Sequence, residues 1–232
     1  MNEPFPRFEP GVLLKRDLFG AVERGTWITA EGSRIPATRR SAESAARALR
    51  GVARLLLRRE RRALEALADL PGVPRLIEGR RAELVRSWIE GRPLQQGGPP
   101  DAGWHARARH LLVQLHRRGV AHNDLAKEPN LLVTPDGGAA LIDFQLASCR
   151  ERRGRWFRSM AREDLRHLLK HKRHYHAALL RPRERAILAR SGGIARLWRR
   201  AGKPLYLFVT RHLLGWRDRE GAGDRSHRPT AP

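Results

Sequence analysis

The sequence predicts an α+β chain in two lobes: a small antiparallel sheet with one long helix, followed by a reduced helical lobe. Three observations carry this. Short apolar runs separated by turn residues fill 12–38 and return at 75–89. Between them, residues 41–70 hold apolar side chains at helical spacing. After a Gly/Pro stretch at 95–103, helical patterns dominate, interrupted by one strand-turn-strand unit. The expected segments are a lead-in over 1–11, a sheet lobe over 12–94, a linker over 95–103, a helical lobe over 104–216 and a disordered tail over 217–232.

Each element has a local reason. Prolines at 4, 6 and 10 keep the lead-in extended. Residues 13–24 read as a strand, a tight turn at Gly20 and a second strand, which Trp27-Ile28-Thr29 continues. A turn at 31–34 leads to a third strand over 35–39. The helix over 41–70 has Ser41 and Ser44 as caps, with Ala45, Ala48, Val52, Leu56, Ala63, Leu64 and Leu67 on its apolar face. Gly51 is a point where it can divide, and Pro71 stops it. Two strands, 75–78 and 82–89, close the sheet. A helix over 104–118 turns Ala108, Leu111, Leu112 and Leu115 to one side and ends at Gly119. Further helices are expected over 160–180, 183–190, 194–200 and 204–216. The last is the most apolar and too short to span a bilayer, so it reads as a core helix.

The chemistry concentrates in 122–144. Leu131–Val133 and 139–142 are apolar runs joined by Pro135-Asp136-Gly137-Gly138, a hairpin. A polar loop carrying Asp124, Lys127 and Asn130 enters it, and Asp143 follows its second strand. The hairpin brings both ends to one side. Asn130 and Asp143 are oxygen ligands of the kind Mg²⁺ takes. Asp124 is free to orient a hydroxyl, and Lys127 can neutralise phosphate.

These residues resemble the protein-kinase-like superfamily. His122-Asn123-Asp124 stands where that family has His-Arg-Asp, and Asp143-Phe144-Gln145 where it has Asp-Phe-Gly. The resemblance implies a two-lobed protein-kinase-like fold that uses ATP and Mg²⁺. It makes Asp124 the catalytic Asp, gives Lys127 the transferred phosphate, and gives Asn130 and Asp143 the metal. Gly20 and Val22 correspond to the end of the phosphate loop, whose earlier glycines are absent. Arg39 takes the position of the third-strand Lys, with Arg40 the close alternative, and Glu60 is the expected partner of Arg39. Backbone groups of Arg86, Ser87 and Trp88 would meet adenine. Asp164 corresponds to the Asp that anchors the catalytic loop.

One extra residue between Asp124 and Lys127 requires a bulge, Asn123 replaces the Arg that reads a phosphorylated segment, and Gln145 replaces Gly. In these features the chain is similar to RIO-type kinases and bacterial lipopolysaccharide-core sugar kinases. The resemblance covers about 12–180. It implies transfer to a hydroxyl acceptor, a protein Ser or a glycolipid core sugar. The alternative is a catalytically weak nucleotide-binding scaffold.

Composition bounds the partners. The 232 residues carry a formal charge of +23, with Lys confined to positions 15, 127, 170, 172 and 203 and Arg supplying the rest. Such a field favours an anionic acceptor or an anionic membrane surface. Aromatics are 6% and not interleaved with the basic runs, so nucleic acid is a weaker expectation. The single cysteine, Cys149, and a start without a basic-then-apolar leader suit a reducing, cytoplasmic setting, or one peripheral to the inner face of the membrane. His167, His171 and His174 share a helical face but lack completing ligands, so they read as a pH-responsive basic surface rather than a metal site.

Overall fold

The computed structural model describes residues 6–189. They form a mixed α+β structure built on a five-stranded antiparallel sheet in the order β1-β2-β3-β5-β4. The strands are β1 (Arg7–Asp17), β2 (Gly20–Ile28), β3 (Arg34–Ser41), β4 (Leu76–Gly79) and β5 (Glu83–Ser87). β1 starts at Arg7, inside the expected lead-in, because its register with β2 runs back to Ile28. Irregularities at Pro10/Val12 and Leu13/Lys15 bend this edge strand and leave Val12, Leu13 and Leu14 exposed. The turn into β2 needs its glycine: Gly20 has φ +133°, and a Cβ there would lie 2.0 Å from the Ser41 carbonyl oxygen.

Side-chain alternation divides the sheet into two faces. On one, Trp27, Ala37 and Val85 form a small cluster with Phe8, Ile35 and Ile77. On the other, Leu84 joins the main core beneath helix α1 (Arg50–Ala66). This helix is shorter than the expected 41–70; a 3-10 turn at Arg47–Leu49 precedes it, and Gly51 does not break it. Ala53, Leu57, Glu60, Ala63 and Leu64 point inward at intervals of three and four residues. Glu60 is the exception in that stripe, a carboxylate with no exposure at all.

The second half is organised around helices and short strands. Helix α2 (Trp104–Arg117) buries Ala108, Leu111, Leu112 and Leu115 as expected. The hairpin forms as β8 (Leu131–Val133) and β9 (Ala139–Leu141), and β6 (Arg92–Pro93) adds to its outer edge. A two-residue ladder pairs β7 (Val120–Ala121) with β10 (Ser148–Cys149). Trp104 is fully buried and its Nε1 donates to the Gly138 carbonyl at 2.9 Å, fixing α2 to the hairpin turn. Helix α3 (Arg155–Tyr175) begins and ends about five residues earlier than the pattern suggests. Helix α4 (Pro182–Ala189) closes the described chain. The helices expected over 194–200 and 204–216, and the tail over 217–232, lie outside the described residues. Among the described residues, no helix is long and apolar enough to cross a membrane.

His105 sits inside α2 with 4% exposure, edge-on to Trp104 and His176 at ring distances of 5.3 Å. Neither ring nitrogen has a partner. Burial, then repulsion from His176, Lys172 and His171, outweighs Glu184 and pushes its pKa down to about 4. An unfolded His titrates near about 6.5. Unfolding therefore takes up this proton between the two values, and stability falls as the medium is acidified across that window. Denaturant unfolding between pH 7 and about 4 should give a slope about one proton smaller for His105→Leu than for the parent chain.

Candidate active site

The polar loop is held from behind by a buried carboxylate. Asp164, on α3, accepts the backbone N–H of His122 at 2.7 Å and of Asn123 at 2.8 Å, and contacts His116 Nε2 at 3.1 Å. It thereby occupies the anchoring position expected for it. His122 is fully buried, with Nε2 3.0 Å from the Ile142 carbonyl and its ring 4.6 Å from that of Phe144. These contacts tie the loop to the residues around Asp143. Asn123 has φ +65°, a left-handed conformation that Asn tolerates better than most residues. Its amide donates to the Leu146 carbonyl and to Ser148 Oγ, both at 2.9 Å. Asn123 is thus a brace between the loop and the segment after Asp143.

Asp124, Lys127 and Asn130 converge. Lys127 Nζ lies 3.1 Å from Asp124 Oδ2, and Asn130 Nδ2 donates to the same oxygen at 3.1 Å and to the Asp124 carbonyl at 2.9 Å. The extra residue is absorbed as a turn, with the Lys127 N–H directed at the Asp124 carbonyl 3.5 Å away. α3 supports this turn as well. His171 Nε2 meets the Leu125 carbonyl at 2.8 Å, and the Tyr175 hydroxyl donates to Glu128 at 2.5 Å. Across the hairpin, the Ile142 N–H donates to the Asn130 carbonyl at 3.1 Å and brings Asp143 alongside. Asp143 also has φ +65°. Gln145 Nε2 donates to its Oδ1 at 2.7 Å, so the residue in place of Gly orients this carboxylate.

The sheet contributes a cation network. Glu60 is paired with Arg86 Nη1 in direct contact, and Arg40 Nε lies 3.7 Å from its second oxygen. Arg40 Nη2 is also 3.7 Å from Asp143. Burial pushes Asp143 up, but Arg40, Arg86, Lys127 and His122 together outweigh it and hold the carboxyl below its ordinary value. Burial, then the charge of Arg40, pushes Arg86 down to about 10, which leaves it a cation at neutral pH.

One expectation is corrected here. Arg39 does not meet Glu60. It lies on the opposite face of β3, 2.6 Å from Glu23 and over the Phe8 ring at 4.9 Å. One step along a strand reverses the side, so Arg40, opposite Val22, is the cation that reaches Glu60 and Asp143. Nor are the amides at the end of β5 free for a base. Ser87 N–H donates to the Arg75 carbonyl at 2.8 Å and Trp88 N–H to the Pro36 carbonyl at 2.9 Å. The Arg86 side chain is spent on Glu60, and the Trp88 ring is covered by Arg24 at 4.3 Å. Arg24 is itself held by Glu90 at 2.8 Å. Gly20 and Val22 do form the start of β2, on the same hairpin as the β1 turn.

Arg59 also braces this region. From α1 it donates to the Ala147 and Leu146 carbonyls at 3.2 and 3.1 Å, tying the segment after Asp143 to the helix of Glu60. It is one Arg among many on that helix, so nothing in its spacing distinguishes it. His171 is no surface residue but a prop for the loop, and among the described residues no group of three or more His, Cys, Asp and Glu could hold a metal.

Comparison with known proteins adds little to this geometry. No family model matches the chain. Over 123 residues it is 32% identical to a protein named Probable SapB synthase from Streptomyces coelicolor, covering 43% of this chain. The chain spans only 13% of the length of that relative.

The contacts of Asp164 make a direct prediction. Asp164→Ala would strand two backbone N–H groups, at about 1–3 kcal/mol each. The variant is expected to lose at least about 2 kcal/mol of stability in denaturant unfolding. Hydrogen exchange at His122 and Asn123 should accelerate at the same time.

Proposed function

We propose that the chain is a phosphotransferase of protein-kinase-like, two-lobed build that transfers the γ-phosphoryl group of ATP to a hydroxyl with Mg²⁺. The observation that carries this reading is the convergence of Asp124, Lys127 and Asn130 on one loop, joined across the hairpin to Asp143. The network of Arg40, Glu60 and Arg86 beside Asp143 supports it further.

The donor set suits the cofactors. Asn130 spends its amide nitrogen on Asp124, which leaves its side-chain Oδ1 outside any hydrogen bond among the described residues. Its backbone carbonyl accepts from the Ile142 N–H. Oδ1 and the ionised Asp143 are the hard ligands Mg²⁺ prefers. ATP would supply the phosphoryl group, and Mg²⁺ would offset the charge on its oxygens. Asp124 would orient the acceptor hydroxyl and take its proton as the new O–P bond forms and the bond to the ADP leaving group breaks. Lys127 would stabilise the transferred group, and Arg40, rather than Arg39, would pair with the remaining phosphates. A positive field of +23 favours an anionic acceptor, a glycolipid core sugar or an acidic protein segment bearing Ser.

A second reading has its own observation. Ser87 and Trp88 spend their amides inside the sheet, and Arg24 covers Trp88, which leaves fewer groups there for a base. This favours a nucleotide-binding scaffold of low activity.

The test is ATP turnover and γ-phosphate transfer with Mg²⁺, using purified core oligosaccharide and a Ser-containing acidic peptide as acceptors. Asp124→Asn is expected to lower transfer by about 10²–10⁴-fold, the usual contribution of a positioned base. Asp143→Asn should abolish the Mg²⁺ dependence, and Arg39→Gln should leave the rate within about twofold. Transfer that is equally low in the parent chain and in Asp124→Asn favours the scaffold.

A further inference from the structure

We propose that the outer face of α1, with the adjoining 146–156 segment, docks onto an anionic lipid bilayer. This inference does not depend on the phosphotransfer reading. Val52, Leu55, Arg58 and Arg62 follow one another at intervals of three, three and four residues, and all four are exposed. At about 3.6 residues per turn they form one stripe, opposite the buried Ala53, Leu57, Glu60 and Leu64. A helix packed on one side ordinarily turns a polar stripe to water. Here the outer stripe joins two aliphatic side chains to two cations.

The charge on this face is unbalanced. Seven arginines lie from position 47 to position 62, and the single carboxylate among them, Glu60, is buried against Arg86. The next carboxylate, Glu65, is paired with Arg61. Arg59 carries the face across to a second basic segment, because it bonds the carbonyls of Leu146 and Ala147. From there the chain runs through Cys149 into 150–156, every residue of which is exposed. That stretch holds four arginines against one carboxylate, Glu151, and ends on Trp156.

The apolar residues decide the partner. Eight large apolar side chains are well exposed among the described residues, and four of them, Val52, Leu55, Leu146 and Trp156, belong to these two segments. A single exposed apolar residue needs no explanation, but aliphatic and indole groups set among guanidinium groups match the boundary of a bilayer. Lipid phosphates would take the guanidinium groups, and the aliphatic side chains would enter the acyl region. The indole of Trp156, 58% exposed, would lie at headgroup depth. A nucleic acid offers Val and Leu nothing to enter, and a second copy would set cation against cation. The face also borders the polar loop: the Leu146 carbonyl accepts from the Asn123 amide, one residue before Asp124.

The test is vesicle cosedimentation of the full chain, with phosphatidylcholine alone and with an equimolar mixture of phosphatidylcholine and phosphatidylglycerol. The chain should partition onto the anionic vesicles at least about tenfold more strongly than onto the neutral ones. Arg58→Gln/Arg62→Gln should weaken that partition by about tenfold or more. Val52→Gln/Leu55→Gln, which leaves the charge unchanged, should weaken it by about fivefold or more. Arg183→Gln/Arg185→Gln removes the same charge from exposed positions on α4 and should change it by no more than about twofold. Melting temperatures measured alongside establish that the variants fold. Vesicles with brominated acyl chains give a readout that needs neither α1 variant: they should quench tryptophan fluorescence more in the parent chain than in Trp156→Phe. Equal quenching overturns the docking. So does parent-like partition of either folded α1 variant, or a loss in the α4 variant as large as in the α1 variants. Equal partition onto neutral and anionic vesicles overturns the anionic assignment. A double-stranded oligonucleotide that binds more tightly than the anionic vesicles, and through Arg58 and Arg62, overturns the bilayer in favour of nucleic acid.

Discussion

Glu60 is a carboxylate with no solvent exposure, set in the inward stripe of a helix otherwise lined by Ala and Leu. Removing a charge from water costs several kcal/mol even after relaxation, and that cost is tolerable only when partners are supplied. The fold supplies them from two strands. Arg86 comes from β5 in direct contact, and Arg40 comes from β3 at 3.7 Å. Arg40 then reaches on to Asp143, beyond the hairpin. One buried anion therefore specifies where α1 lies on the sheet and which face of β3 turns inward. It also sets how the sheet meets the 122–144 stretch. Arg59, one residue earlier on α1, fixes the next segment by bonding the carbonyls at 146 and 147. Truncating Glu60 would leave two buried guanidinium groups facing each other, which makes the pair obligatory rather than decorative.

The behaviour of β3 shows why some of this is legible in the sequence and some is not. Period-two alternation announces a strand near 35–39, and the structure has one from Arg34 to Ser41. Two adjacent arginines, however, satisfy that pattern equally well in either register. What decides between them is long-range: Glu23 and Phe8 wait on one face, Glu60 and Asp143 on the other. No local propensity encodes those distances. The hairpin is the opposite case. Its turn residues, its apolar runs and the spacing of Asp124, Lys127 and Asn130 are all local, and the chain brings those three side chains together. The engagement of the Ser87 and Trp88 amides is hidden from the sequence for the same reason as the side on which Arg39 falls. Whether a strand-end amide is free depends on a neighbour, here Pro36 and Arg75, that lies far away in sequence.

Departures in the loop that look like losses turn out to have compensating contacts. Asn123 adopts a left-handed backbone and braces Leu146 and Ser148. The extra residue beside Asp124 is taken up by a turn that α3 holds through His171, at the Leu125 carbonyl, and through Tyr175, at the Glu128 carboxylate. Gln145 steers Asp143. The order of this loop comes from buried groups already in place. Asp164, with 0% exposure and three contacts to the loop and α2, is the hub of that arrangement.

The electrostatics of the cleft bear on both readings of function. Asp143 is kept ionised by Arg40, Arg86 and Lys127, so its carboxylate is available to a cation at any ordinary pH. The same guanidinium of Arg40 stands 3.7 Å from that carboxylate and already offsets part of its charge. A divalent ion arriving alone would be repelled by the cations around it. Arriving with a polyphosphate, it would come inside an anion that Arg40 and Lys127 attract, and Arg40 could exchange Asp143 for phosphate oxygens without leaving Glu60. On the phosphotransfer reading proposed above, the arrangement would favour a metal–nucleotide pair over the free metal.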